Sequence, residues 1–232
     1  MLMLLPLVLA LAAVDPAPAA STTPRPTPLT EIGRVKALPA CVPIVAHANG
    51  AITQALENDR TLAVIANNLH NTDYDKLNFL QRRNAIEALM KQAELMRVNS
   101  SAGDVEVKKL REYAVNSPDP KRKEELKTFA DALGGALYRQ KKAAVEFMRD
   151  ITIMRGREEA QEARDIMQRD NPMPPFAAAQ SIAALPNPLP SPMPTYNKQM
   201  QYLGDTMNDL ASNIQVDEGR AADHSIAATS GC

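Results

Sequence analysis

Two cysteines decide which thiol chemistry is open to this chain. Cys41 lies in the stretch KALPACVPIV, and Cys232 ends the sequence. In an exported protein, two cysteines and no more suggest a single disulfide, which would close almost the whole mature chain into a ring. The alternative is a buried thiol at Cys41 and an unbridged Cys232. The sequence leaves both open, because it cannot place the two Cα atoms within the roughly 7 Å that a bridge requires.

Leu38-Pro39-Ala40-Cys41 also has the composition of a lipid-attachment site. A lipidated cysteine must follow its apolar membrane segment directly. Here the first apolar run ends near Val14, and a Pro-rich stretch intervenes. Residues 21–37 of this stretch carry four charged residues, Arg25, Glu31, Arg34 and Lys36. We therefore expect no lipid anchor at Cys41.

The three histidines, His47, His70 and His224, lack the spacings that place metal ligands on one helix face. Residues 71–75, NTDYD, resemble the opening of a calcium loop, but Lys76 and Arg82 stand where that loop needs Gly and Glu. We expect no metal and no cofactor, and we interpret Asp73 as the N-cap of a following helix. A haem site formed by one Met and one His from separate helices is the alternative.

A charged segment, RGREEAQEARDIMQRD at 155–170, holds the densest set of titratable side chains. Its carboxylates are interleaved with arginines, a setting that favours solvation and pairing over the perturbed pKa of a catalytic acid. No nucleophile elbow, phosphate loop or dinucleotide motif occurs, so we predict no catalytic residue. The segment is instead a candidate interaction surface, formed by Arg155, Arg157, Glu158, Glu159, Glu162, Arg164, Asp165 and Arg169.

Composition indicates a helical core built without large rings. Apolar residues make up 45% of the chain, aromatic residues only 4%, and there are 11 Met and no Trp. Leu, Ala and Met, which must then fill most of the core, are good helix formers. The formal net charge of −1 argues against a nucleic-acid partner.

The N-terminal residues are typical of an export signal. The run MLMLLPLVLALAAV is too short to span a bilayer and is followed by Ala17-Pro18-Ala19, a small-x-small cleavage pattern. No Lys or Arg precedes Arg25, so the run lacks the usual positive start. We predict a signal peptide at 1–20, a Pro-rich linker at 21–40, and export to the periplasm or the extracellular space without a stable membrane anchor.

Apolar periodicity predicts helices at about 43–70, 73–98, 102–116 and 195–217, and a long one after Pro120. The long helix carries a seam with the seven-residue period of a coiled coil. The seam consists of Leu126, Leu133, Gln140, Phe147 and Met154, interleaved with Ala130, Leu137, Ala144 and Ile151. Gly134-Gly135 within it predicts either a close helix approach or a kink.

These elements predict an all-α, up-and-down helical bundle of four long helices plus one short helix, with Pro-rich N-terminal and internal linkers. The bundle domain would be 41–170, a Pro-rich crossover 171–194, and a C-terminal helix and tail, 195–232, would pack on the bundle. The expected function is that of an exported, non-enzymatic protein that binds an unknown protein partner or serves as a structural, envelope-associated factor. The alternative is a carrier of a small ligand, haem or metal in the bundle core.

Overall fold

The computed structural model describes residues 27–33, 41–170 and 195–229. Within these residues the chain is all-helical and contains no strand. Its elements are α1 (Val42–Asn71), a 3₁₀ turn (Tyr74–Lys76), α2 (Phe79–Asn116), α3 (Pro120–Asp170) and α4 (Tyr196–Thr229). The predicted signal peptide, most of the Pro-rich linker, the crossover and Cys232 lie outside the described residues.

The predicted short helix at 102–116 is wrong as a separate element, because α2 runs unbroken from Phe79 to Asn116. The expected stop at Asn99-Ser100-Ser101 fails because both serine hydroxyls are satisfied within the bundle. Ser101 donates to the backbone oxygen of Arg97 at 3.0 Å. Ser100 is fully buried and accepts a hydrogen bond from Asn58 at 2.9 Å. The Ser101 bond to a carbonyl one turn earlier is compatible with a helix, and the Ser100 bond is to α1, so neither hydroxyl ends α2.

The start of α2 also differs from the expectation, since its N-cap is Asn78 and not Asp73. Asn78 Oδ1 accepts from the backbone N–H of Gln81 at 2.9 Å, and Gln81 Oε1 accepts from the backbone N–H of Asn78 at 3.0 Å. This reciprocal pair is a capping box. Asp73 instead binds Lys76 at 2.8 Å and accepts from Asn197 at 2.8 Å, so it links the 3₁₀ turn to α4.

The last helix is longer than the predicted 195–217, because its buried face continues through the segment expected to be a tail. Ala221, Ala222, Ser225 and Ala228 are all buried. These small side chains recur at helical spacing and pack on the bundle, which makes the extra turns of α4 part of the core.

The heptad seam of α3 is confirmed, since all nine of its predicted positions are buried. The helix is continuous across Gly134-Gly135, so these glycines serve a close approach. A Cβ atom at Gly134 would lie 3.2 Å from Val107 Cγ1 in α2. One at Gly135 would lie 3.1 Å from Asp217 Oδ2 in α4. Adjacent helices thus touch α3 on both sides of the same turn.

Side-chain pairs fix the direction of each helix relative to its neighbours. The pairs are His47–Glu106 and Asn58–Ser100 between α1 and α2, Arg111–Asp131 and Arg82–Glu158 between α2 and α3, Arg139–Asp217 and His224–Glu125 between α3 and α4, and His70–Asn208 and Asp59–Glu218 between α1 and α4. In every case residue numbers rise along one helix as they fall along the other. The four helices therefore alternate up and down around a shared core.

That core consists of two hydrophobic clusters placed end to end. The alanine-rich cluster lies at the end where α1 begins and α4 ends, and half of its members are alanines, such as Ala48, Ala51 and Ala221. The methionine-containing cluster lies at the other end and includes Met96, Met154, Met200 and Met207. No helix among the described residues is long and apolar enough to cross a bilayer.

Candidate functional site

A layer of polar side chains separates the two hydrophobic clusters, and each helix contributes one residue to it. Asn58 of α1, Ser100 of α2 and Gln140 of α3 are fully buried, and Glu218 of α4 is 5% exposed. We call these four residues the polar layer. Buried polar groups are costly unless hydrogen-bonded, so their coincidence at one level requires a network that satisfies them.

Asn58 and Gln140 form the centre of that network. Asn58 Nδ2 donates to Ser100 Oγ and to Gln140 Oε1, both at 2.9 Å. Gln140 Nε2 lies 3.0 Å from the backbone oxygen of Ala55, 3.0 Å from Asp59 Oδ1 and 3.2 Å from Glu218 Oε1. An amide nitrogen carries two hydrogens, so three acceptors compete for them.

Asp59 and Glu218 form a carboxyl pair at the edge of the polar layer. Both contact the same amide nitrogen and are hydrogen-bonded to each other. Burial raises the pKa of Glu218 to about 9, and the negative charge of Asp59 adds to the effect. Burial also raises the pKa of Asp59, against the lowering effect of its hydrogen bonds to Glu218 and Gln140. A Glu218 carboxyl with this pKa is protonated near neutral pH and can share its proton with Asp59.

A surface cavity of about 450 Å³ opens onto this carboxyl pair. Its walls include Leu56 and Gln215, and one side is formed by residues 27–33, which we call the N-terminal strap. Leu29 of the strap is buried in the alanine-rich cluster. The strap is held by Thr27, which donates to Asp223 at 2.7 Å, and by the Asn49 side chain, which bonds both backbone groups of Ile32 at 2.7 and 2.9 Å.

Each histidine contacts a polar side chain of another helix. His47 contacts Glu106 at 2.6 Å, His224 contacts Glu125 at 2.7 Å, and His70 contacts Asn208 at 3.2 Å. No cluster of three or more metal-ligating side chains occurs among the described residues. In residues 71–75, which resemble the opening of a calcium loop, Asp73 serves the 3₁₀ turn and its link to α4.

The predicted interaction surface divides into a paired part and an exposed part. Glu158 is only 6% exposed and pairs with Arg82 at 2.7 Å, so it belongs to the bundle interior. Arg155 pairs with Glu159 at 2.9 Å and approaches Glu87 of α2 at 3.9 Å. Arg157, Arg164 and Arg169 are exposed, Glu162 is half-buried, and the side chain of Asp165 lies outside the described part.

Beyond Glu158, no described side chain of α3 is buried. Residues 159–170, here called the α3 extension, would reach about 18 Å at the usual helical rise. Two large apolar side chains on it are exposed, Ile166 at 44% and Met167 at 69%. Only residues 159–170 of the candidate interaction surface at 155–170 therefore lie beyond the packed part of α3.

An apolar groove of about 470 Å³ lies between α3 and α4 near the base of the α3 extension. Met154 and Leu203 of the methionine-containing cluster form its floor, and the exposed Ile153 and Tyr202 form its walls. Charged and polar residues complete its lining: Asp150, Arg157, Lys198 and Gln199. The groove was not predicted, although the helix at 195–217 that supplies Tyr202 and Leu203 was.

Three helices are tied together beside this groove. Arg82 of α2 binds Glu158 of α3, and its guanidinium carbon lies 4.8 Å from the ring centroid of Tyr196 of α4. Burial raises the pKa of the Tyr196 hydroxyl to about 12, and the nearby Glu158 charge adds to this. A cation between a carboxylate and an aromatic face is a well-satisfied arrangement, so the groove rests on a fixed frame.

Cys41 is 2% exposed and occupies the N-cap position of α1. Its sulfur accepts a hydrogen bond from Arg122 at 3.0 Å, and no cysteine among the described residues is free. Cys232 lies outside the described residues, so its bridge to Cys41 stays a prediction.

The polar layer was missed by sequence reasoning, although one signal for it was present. Gln140 stands at a seam position where every other member is apolar, and a polar residue on such a seam marks a buried polar contact. Ser100 lay in a predicted helix stop and Glu218 beyond a predicted helix end, so their burial could not be inferred. No protein-family model, curated protein or solved structure matches the chain.

Proposed function

We propose that this chain is an exported, non-enzymatic helical bundle that acts by binding another protein through the apolar groove between α3 and α4. The observation that carries the proposal is the groove itself. Its floor is the hydrophobic core, and its walls are Ile153 and Tyr202, exposed at 49% and 72%. Exposed apolar surface that is continuous with a core and rimmed by polar residues is typical of binding sites.

The charges at the rim indicate what kind of segment fits. Arg157 and Lys198 both line the groove, and neither has an ion pair among the described residues. The one carboxylate of the lining, Asp150, is already bound by Arg149 at 2.9 Å. The rim is thus cationic, and the floor is apolar. We infer an amphipathic helical segment of a partner protein that presents apolar side chains beside carboxylates.

The α3 extension adds a second contact area beside the groove. It continues the same helix that supplies Ile153 and Arg157, and it exposes Ile166 and Met167. A partner helix seated in the groove would run on along this extension. The sequence-based proposal that residues 155–170 contact a partner is kept, with Glu158 assigned to the frame of the site.

A peptide titration tests the proposed function. The probe is a fluorescent amphipathic peptide with Leu at helical spacing and Glu at the flanking positions, and its control has Gln in place of Glu. We expect saturable anisotropy with the full chain, weaker binding of the Gln peptide, and weaker binding at high salt. Tyr202→Ala should weaken binding at least tenfold, since exposed aromatic anchors dominate such interfaces.

Tyr138→Ala is the matched control, because Tyr138 is likewise an exposed tyrosine, at 63%, but lies on α3 outside the groove. Equal losses in the Tyr138 and Tyr202 variants, or no binding of either peptide, would count against the groove as the binding site.

Export and the Cys41–Cys232 bridge complete the proposal. Supporting the bridge, Cys41 is buried at the start of α1, and Ile44 of the first turn of α1 belongs to the same alanine-rich cluster as Ala228 of α4. Only three residues separate Ala228 from Cys232, and they could span about 10 Å or more. Mass measurement of the secreted protein would test export, since cleavage near Ala19 removes the first apolar run.

A further inference from the structure

The carboxyl pair Asp59–Glu218 is not used by the proposed function, yet its position is unusual. The pair joins α1 to α4 at the middle of the bundle, and its two oxygens lie 3.0 and 3.2 Å from the same Gln140 nitrogen. Two carboxyls in such contact hold together through a shared proton, and they repel when both are ionised.

The surroundings of the pair offer little to neutralise a second charge. From α3 it meets the uncharged Gln140, whose two hydrogens also serve the backbone oxygen of Ala55. From α4 the neighbouring Asp217 adds a negative charge, and the cation beside it, Arg139, is bound to Asp217 at 2.6 Å.

The other elements facing the pair contribute no charge. The α2 member of the polar layer is Ser100, and the strap residues beside the pair are Thr27, Pro28 and Leu29. No cationic side chain among the described residues is bound to either carboxyl.

Water already has access to one side of the pair through the cavity of about 450 Å³ beneath the N-terminal strap. If the shared proton leaves, the response that costs least free energy is for the two charges to move apart into this space. Because Asp223 of α4 accepts the hydrogen bond of Thr27, movement of α4 would also loosen the strap.

We propose that the Asp59–Glu218 pair is a proton-dependent latch, in which one shared proton holds α4 against α1 at the polar layer and its loss opens this seam and the strap above it. The raised pKa of Glu218, about 9, would place the opening at alkaline pH. The latch uses no residue of the groove, since Asp59 and Glu218 lie at the polar layer and line a different cavity.

Hydrogen exchange followed by mass spectrometry on the full chain tests the latch. Amide protection is compared at about pH 7.5 and at about pH 9.5. In the unmodified chain we expect the amide protection factors of residues 211–225 and 52–63 to fall at least tenfold at the higher pH. Glu218→Gln removes the titration while keeping size and hydrogen bonding, so its protection should not change with pH.

Asp209→Asn is the matched control, since Asp209 is an exposed carboxylate on the same helix, and this variant should behave as the unmodified chain. An equal fall in Glu218→Gln, or no fall in the unmodified chain, overturns the latch. Infrared titration of the unmodified chain gives a check that needs no variant. A protonated carboxyl band lost between these pH values supports the latch, and absence of that band at pH 7.5 overturns it.

Discussion

The two hydrophobic clusters of this bundle are built from different side chains, and they leave different surfaces. Half of the alanine-rich cluster is alanine, and it contains no methionine. The methionine-containing cluster holds Met96, Met154, Met200 and Met207 and few alanines. Small side chains let helices approach closely and leave little room for adjustment, whereas methionine fills irregular space and adapts to it. The alanine-rich end is therefore suited to closure, and the methionine-containing end to recognition.

The difference continues at the surface of each end. Over the alanine-rich cluster, the strap inserts Leu29 and covers the helices. At the methionine-containing end, Met154 and Leu203 reach the floor of an open groove, and α3 extends beyond its neighbours. A bundle can thus combine a closed half that supplies stability with an open half that supplies a binding surface.

The largest expected change in stability concerns the proposed bridge at the alanine-rich end. A disulfide from Cys41 to Cys232 would close a loop of nearly 200 residues, which the chain-entropy treatment values at about 5 kcal/mol. We expect Cys232→Ser to lower the free energy of unfolding in urea by up to that amount. A reductant should lower the free energy of unfolding of the unmodified chain by the same amount. Two reactive thiols in the denatured, unreduced protein would show that no bridge exists.

A pair of core substitutions tests the difference in packing directly. Ala51 and Met96 are both fully buried, one in each cluster. We expect Ala51→Leu to destabilise the protein by about 1–3 kcal/mol, because the helices there cannot separate to admit it. Met96→Leu conserves volume and should cost less than about 1.5 kcal/mol. Urea unfolding measures both, and equal tolerance at the two sites would remove the distinction between the clusters.

The last test concerns the boundary between the clusters, where the effect is gradual with pH. The pKa of Glu218 is raised from 4.5 to about 9 on folding, so the folded chain binds a proton more tightly than the unfolded chain. Stability should therefore be highest below about pH 4.5 as far as this group is concerned, and fall as pH rises to about 9. The slope is at most about 1.4 kcal/mol per pH unit for one proton.

Urea unfolding at several pH values in this window measures that slope, with Glu218→Gln as the comparison. The variant should lose the decline between neutral pH and about pH 9. An identical pH dependence in both proteins would assign it to other groups.

Much of the fold followed from sequence patterns because those patterns are local. The seam of α3 has a strict period, and all its positions proved buried, including Gln140. The helix ends were harder, since they depend on tertiary partners. Ser100 could continue α2 only because Asn58 of α1 meets it, and α4 could extend past residue 217 only because Ala221 and Ala228 find a surface to cover.

The candidate sites were less accessible to sequence reasoning, for a related reason. Asp59 and Glu218 are far apart in sequence, and nothing in either segment indicates that they meet. Glu158 looked like one of many surface charges, but Arg82 of α2 makes it a buried partner. Pairings between helices depend on register, which a single sequence does not reveal.

The polar layer also has a consequence for assembly of the bundle. Because each helix carries its one layer residue at a matching height, sliding any helix by a turn of about 5.4 Å would press a polar side chain into apolar surroundings. Uniform apolar stripes alone would permit several neighbouring alignments of similar energy. The polar layer disfavours all but one of these alignments. It therefore fixes the register in which the four helices pack.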